Sequence, residues 1–372
     1  MHVLFWSSTF GEHIGGVGIL AEKFISALHQ RGVEFLIIAP KDQPDLPTES
    51  QYDGISVYRF PFWEAMANVD LFITIKQQVA QIIRHFSPDL VHIYALNRSN
   101  FFYHLTAHEH PAPLLVTLHG FMDSAADELT TRTLGAADWV AGCSQTVIER
   151  GRSLVPKIVS RSSPIRNGLE TPTVQPCPLS FDPPRLLCLG RLVKEKGMDV
   201  ALSALPRILA RFPQARLIIA GDGRERPALD QQARSLGVQD SVDFLGWVPP
   251  HHVSELMNTA SVVVVPSQWE EPFGLVVLEA ALMARPVVAT RVGGIPEIVE
   301  DHVTGLLIEK NAPDSLSEAV TFLLDHREIA GRMGQAACLK AQHEFGWKGH
   351  IDAYEAIYHQ IHRGFINGRL HH

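Results

Sequence analysis

The chain has 372 residues, 46% of them hydrophobic and 19% charged, with a formal net charge of −8. That is enough sequence for two ordinary domains with large cores, and too apolar for a disordered chain. The acidic balance excludes a global basic field for nucleic acid and lends no support to peripheral membrane contact. Cys143, Cys177, Cys188 and Cys338 form no C-x-x-C pair and read as reduced thiols of a cytoplasmic protein. No apolar run approaches the ~18 residues of a membrane span, and His2-Val-Leu-Phe-Trp6 lacks the basic start of a signal peptide.

Residues 2–8 read as a buried strand, 9–15 as a loop and 16–30 as a helix with Leu20, Phe24, Ala27 and Leu28 on one apolar stripe. The junction Gly15-Gly16-Val17-Gly18 lets backbone approach a diphosphate or sugar at a helix N-terminus. Gly16 to Ala21 also fits G-x-G-x-x-A, with Asp42 about twenty residues on. Asp42 lies in a Lys-Asp-Gln-Pro-Asp-Leu-Pro loop and not clearly at a strand end, which weakens a dinucleotide reading. Further strand-like runs at Glu34–Pro40, Ile55–Phe60 and residues 90–94, 114–119 and 139–144, with helical stretches between most of them, predict an open, largely parallel sheet. Ligands of such sheets bind beyond the carboxyl ends of the strands, where His119 falls. A lone histidine in that place suits a structural hydrogen bond as well as a site. His104, His108 and His110 include one pair spaced for a helix face but no H-E-x-x-H and no third ligand, so they read as an exposed polar helix end. No metal site is predicted.

Ser163-Pro-Ile-Arg-Asn-Gly168 marks a domain boundary, followed by a linker over 171–184 that holds five prolines. The second half opens with the strand Arg185–Leu189 and then Gly190-Arg-Leu-Val-Lys-Glu-Lys-Gly197. Arg191, a planar fork, and Lys196, a point charge, suit a diphosphate; cations at a helix start otherwise oppose its dipole. The segment is not a Walker loop. Strands are expected at 215–223, 242–248, 261–267, 286–290 and 305–308, with Gly221-Asp-Gly223 as another close-approach loop. Helices are expected at 313–324, 329–343 and 347–361. After the valine run at 262–265, Pro272 reads as a first helical residue and 274–284 as the helix. Glu271 and Glu279 are then ~12 Å apart along the axis. That exceeds the ~5–9.5 Å of a glycosidase pair and suits two carboxylates gripping different parts of one long polar ligand.

Glu271-Pro-Phe-Gly-Leu through Glu279 resembles the E-x7-E signature of retaining, nucleotide-sugar-dependent group 1 (family 4) glycosyltransferases. Gly190 to Gly197 resembles that family's G-R-L-x-x-x-K-G element, and Thr117-Leu-His-Gly120 the segment whose histidine faces the donor sugar. Phe244-Leu-Gly-Trp-Val248 resembles the element whose backbone contacts the base. The resemblance covers nearly the whole chain. It implies an α/β GT-B fold: two Rossmann-like domains, their parallel sheets facing a central cleft. Residues 1–166 form the acceptor side, 167–346 the donor side, and a helix at about 347–368 returns to the amino domain. The implied reaction moves a sugar from a nucleotide diphosphate sugar, UDP-sugar ahead of GDP-sugar, to an unidentified acceptor hydroxyl, with no metal or other cofactor. Catalytic roles fall to Glu271, His119, Arg191 and Lys196. Donor binding falls to Gly15, Gly16, Gly190, Arg191, Lys196, Gly221, Val248, Glu271, Phe273, Gly274, Leu275 and Glu279. Acceptor contacts are expected among residues 11–15, 60–70 and 94–110, with Phe62, Trp63 and Met66 as either a ring-stacking surface or core. The alternatives are a sugar-nucleotide epimerase or hydrolase, an NAD(P)-dependent oxidoreductase resting on Gly16 to Ala21, and a non-catalytic sugar-nucleotide-binding protein.

Overall fold

The computed structural model describes residues 1–8, 10–11, 15–121 and 128–368. It divides into two compact units, Met1–Arg166 with the segment from His350, and Asn167–Gly349. The first unit holds strands His2–Trp6 (β1), Glu34–Pro40 (β2), Glu49–Tyr52 (β3), Ile55–Phe60 (β4), Leu90–Ile93 (β5), Leu114–Leu118 (β6), Trp139–Gly142 (β7) and Ser162–Pro164 (β8). They pair in the order β3-β4-β2-β1-β5-β6-β7-β8. Every ladder is parallel except β3–β4. Runs such as VLFW and VVVV are apolar at every position because both faces of a parallel sheet are covered, and they are buried throughout. β3 and β8 were not expected. Glu-Ser-Gln-Tyr has no apolar alternation to read, and Ser-Ser-Pro ends in a residue that cannot donate to a ladder; both sit at sheet edges, where such residues are tolerated.

The helix Trp347–Ile366 packs into this unit from His350 onward. Tyr354 stands edge-on to Phe24, 4.9 Å between centroids, and Arg31 pins the helix to the loop after Gly16–His29 through Asp352 at 2.7 Å and Glu355 at 2.6 Å. Inside, His92 bonds Tyr358 Oη at 2.7 Å and Thr117 Oγ1 at 2.8 Å, and Thr117 meets Tyr354 Oη at 3.1 Å. These buried polar groups satisfy one another, which low polarity demands.

In the second unit Arg185–Leu189 (β9), Arg216–Ala220 (β10), Val242–Gly246 (β11), Val262–Val265 (β12), Val287–Thr290 (β13) and Leu306–Ile308 (β14) pair in the order β11-β10-β9-β12-β13-β14, all parallel. The four valines of β12 are buried on both faces. Several element boundaries differ from the sequence reading, and two of the differences bear on the site. The helix after β12 spans Leu275–Leu282, because Gly274 at φ 105° and Ala284 at φ 52° cannot be helical, so Pro272 precedes its cap. β11 stops at Gly246, φ 72°, which places Val248 beyond the strand. Arg285, 1% exposed, lies under the helix and donates to the carbonyls of Met283 (2.8 Å), Ala260 (3.3 Å) and Cys177, tying the proline-rich linker to the core. No helix among the described residues is long and apolar enough to cross a membrane.

Candidate functional site

The predicted loops of the second unit converge at the carboxyl ends of β9, β10, β12 and β13. Gly190 N–H bonds Ala220 O at 2.9 Å and Leu192 N–H bonds Asp222 O at 2.8 Å, so the loop after β9 is zipped to the loop after β10. Gly221 makes this approach feasible: a Cβ there would stand 1.9 Å from Gly190 O. Gly190 and Gly221 thus hold two loops together by backbone. Lys194–Lys196 then forms one 3-10 turn that ends at Gly197 (φ 67°), whose missing Cβ leaves room for Pro266 O. The contact is reinforced by Gln268 N–H on Glu195 O at 2.8 Å.

That pressed pair of loops sets Lys196 against Glu271. The ammonium lies 2.9 Å from Oε1 and 2.7 Å from Oε2, with side-chain exposures of 27% and 17%. Ser267 Oγ donates to Oε2 at 3.2 Å, and Ser267 is itself held by Thr290 Oγ1 on its carbonyl at 2.7 Å. The Glu271 backbone is fixed as well, with Gly294 N–H on its carbonyl at 2.8 Å. Sequence reading placed Lys196 on a diphosphate and Glu271 on a sugar; it gave no sign that the two bind each other, nor of Ser267 and Thr290. No spacing could have shown it, since the partners are 75 residues apart.

Arg191, on the same loop, is exposed and its guanidinium has no partner among the described residues. Glu279 is half-buried on Leu275–Leu282, and Gly274 at the start of that helix offers no side-chain cap, so its first amides are available to an anion. The Phe273 ring is core, edge-on to Phe345 at 5.9 Å, leaving only its backbone for a ligand. A surface depression of about 570 Å³ lies over β10 and β11, lined by Arg185, Arg216, Arg226 and Phe244 among others, and includes none of Arg191, Lys196, Glu271 or Glu279.

In the first unit His119 follows β6, buried, with neither ring nitrogen hydrogen-bonded among the described residues and its ring 4.3 Å from that of Tyr94. Burial, with a smaller push from His350, lowers its pKa to about 3. It is a neutral imidazole with one donor and one acceptor unused. Gly15, φ 99°, precedes the helix Gly16–His29 with nothing within 4 Å of its Cβ position. Asp42 Oδ1 accepts from Trp63 Nε1 at 2.7 Å, which engages one oxygen of the carboxylate a dinucleotide reading requires. Phe62 is core, whereas Trp63 and Met66 are exposed. Residues 12–14 of the expected acceptor loop lie outside the described residues. His104 bonds Thr133 Oγ1 at 2.8 Å while His108 is exposed, and among the described residues no group of three His, Cys, Asp or Glu is placed to hold a metal.

The sequence family described as Glycosyltransferase Family 4 matches residues 14–173, and that described as Glycosyl transferases group 1 matches residues 177–339. Glycogen synthase of Mycobacterium tuberculosis is 30% identical over 306 residues, 76% of this chain and 71% of that protein. The chain belongs to the group 1 glycosyltransferases. Alpha-D-kanosaminyltransferase of Streptomyces kanamyceticus is 31% identical over 180 residues, 48% of this glycosyltransferase-family chain and 46% of the relative. The chain thus spans about half the length of that relative and of several others it matches. In structure, sucrose-phosphate synthase from Thermosynechococcus elongatus superposes with a TM-score of 0.84 at 22% identity, covering 97% of this chain and 99% of that one. The Anabaena protein HepE, solved in complex with UDP-glucose, gives 0.77 at 20%, covering 97% and 100%. At these identities the likeness is one of fold, and the fold is GT-B.

Proposed function

We propose that this group 1 glycosyltransferase moves a sugar, with retention, from a UDP-sugar to an acceptor hydroxyl without a metal, acting in the cytoplasm. The observation that carries the reading is the convergence of Arg191, Lys196 and Glu271 with the uncapped start of Leu275–Leu282 at the carboxyl ends of one parallel sheet. The leaving group of such a transfer is an anionic nucleoside diphosphate, so the main need is positive charge where negative charge develops. Arg191 and Lys196 supply it, together with the amides of Phe273, Gly274 and Leu275. Glu279 accepts from the ribose hydroxyls, as a carboxylate can, and Glu271 from the donor sugar. His119, held neutral by burial, donates to a sugar hydroxyl. The complex of HepE with UDP-glucose supports a uridine donor ahead of a guanosine one, and four cysteines outside any disulfide suit a reducing compartment.

A thermal-shift screen against UDP, GDP, ADP and NAD(P), with and without magnesium, tests the reading. A ligand that binds only the folded state at a hundred times its Kd adds ~2.7 kcal/mol of stability. Stabilisation by UDP without magnesium is the expected result. A response to NAD(P) alone would overturn it.

A further inference from the structure

The contact between Lys196 and Glu271 has the same chemistry as the contact each residue is assigned to make with a donor. Lys196 has three N–H donors and commits two of them to the two oxygens of one carboxylate, at 2.9 and 2.7 Å. A diphosphate oxygen needs those donors too. Lys196 and Glu271 cannot separate by moving apart as loops. Gly197 is pressed against Pro266 O, and Glu271 O is held by the Gly294 amide, with no room for a Cβ at Gly293, 2.0 Å from that oxygen. The exchange therefore has to occur in the side chains. Once Lys196 turns away, the only hydrogen-bond donor left to the Glu271 carboxylate among the described residues is Ser267 Oγ at 3.2 Å. Ser267 is 1% exposed and fixed through its own carbonyl by Thr290, so it stays where it is.

We infer that Glu271 is an internal occupant of the Lys196 cation, displaced by the diphosphate of the donor, and that Ser267 is the positioning residue that retains the released carboxylate for the sugar. This rests on the donor reading proposed above. It makes arrival of the diphosphate the event that frees Glu271, so the sugar-binding carboxylate is unmasked only when the leaving group is already held. It also gives Glu271 opposite effects on two steps. The carboxylate competes with nucleotide for Lys196 and is needed for sugar transfer.

Calorimetric titration of the full chain with UDP and with GDP tests the inference, comparing native protein, Glu271→Gln, Ser267→Ala and the double variant. Glutamine keeps the shape and the Ser267 contact but removes the charge that holds Lys196. Glu271→Gln is expected to bind UDP roughly three- to tenfold more tightly, the range between an exposed and a sheltered ion pair. Ser267→Ala, which strands the displaced carboxylate, is expected to weaken UDP binding about threefold in the native background and to have little effect in the Glu271→Gln background. A merely structural serine would act equally in both. Unchanged or weaker UDP binding by folded Glu271→Gln overturns the inference, as does an equal Ser267→Ala effect in the two backgrounds. Were Glu271→Gln to fail to fold, Ser267→Ala alone decides, because undiminished affinity for UDP in that variant is incompatible with the exchange. If native protein binds neither UDP nor GDP, the donor reading itself falls and takes the inference with it; that result is seen before any variant is compared.

Discussion

Lowering the pH from 7 to 5 is expected to destabilise the first unit selectively. His92, His119 and His350 are buried there among Phe24, Tyr94, Tyr354 and Tyr358. Burial pushes His119 down to about 3 and His350 to about 4, and holds His92 well below the ordinary range. In an unfolded chain each would take up a proton near pH 6.5. The unfolded state therefore binds more protons than the folded one between pH 6.5 and the folded pKa. Stability is complete above pH 6.5 and falls as the pH drops through that window. At pH 5 His119 and His350 cost ~2 kcal/mol each, ~4 kcal/mol together with His92 acting in the same direction, against a total of ~5–15 kcal/mol for an ordinary domain. The second unit buries no histidine, and its Asp243 carboxyl, held low by the Arg216 guanidinium, loses its contribution only below about pH 4. Urea titrations at pH 7, 6 and 5, followed by hydrogen exchange resolved to each unit, provide the measurement. Equal acid shifts in the two midpoints would refute the reasoning.

Three further outcomes are expected. Gly197→Ala should destabilise the second unit by ~3 kcal/mol or more in urea titration, because its Cβ would stand 1.9 Å from Pro266 O at φ 67°; Gly15→Ala, at φ 99° but with open space, should cost only ~1 kcal/mol. Arg285→Met should lower second-unit stability by ~3 kcal/mol, since three carbonyls lose their donor, and should loosen exchange protection around Cys177, whose carbonyl it holds. His119→Ala should reduce kcat/KM about 10²- to 10³-fold, and the pH–rate profiles of native protein and variant should have the same shape between pH 5 and 8, because burial keeps the native imidazole neutral there.

Much of this architecture was readable from one sequence. The strands β1, β6, β9 and β12 are predominantly apolar runs without polar alternation, which suit a sheet covered on both faces, and glycine follows β9 and β10 where loops must touch. Glu271 and Glu279 stood out because their spacing sits on a helix start after a buried strand. What stayed hidden is non-local. β3 and β8 carry no pattern of their own and exist because a neighbouring edge offers hydrogen bonds. Leu275–Leu282 ends where Ala284 turns left-handed, φ 52°, with the Arg285 amide on Ala280 O and the Ala284 amide on Ala281 O, both at 2.9 Å, a helix end that glycine usually marks and alanine does not. The pairing of Lys196 with Glu271 follows from the fit of Gly197 against Pro266, a packing event that no residue spacing encodes.

The return of the helix from His350 into the first unit imposes an order of assembly on synthesis. The sheet residues His92 and Thr117 leave the ribosome long before Tyr354 and Tyr358, which they need as hydrogen-bond partners. All of Asn167–Gly349 is made in between. The unit made first is therefore the unit finished last, and its unsealed flank around Phe24 is open to chaperones and proteases for the whole interval.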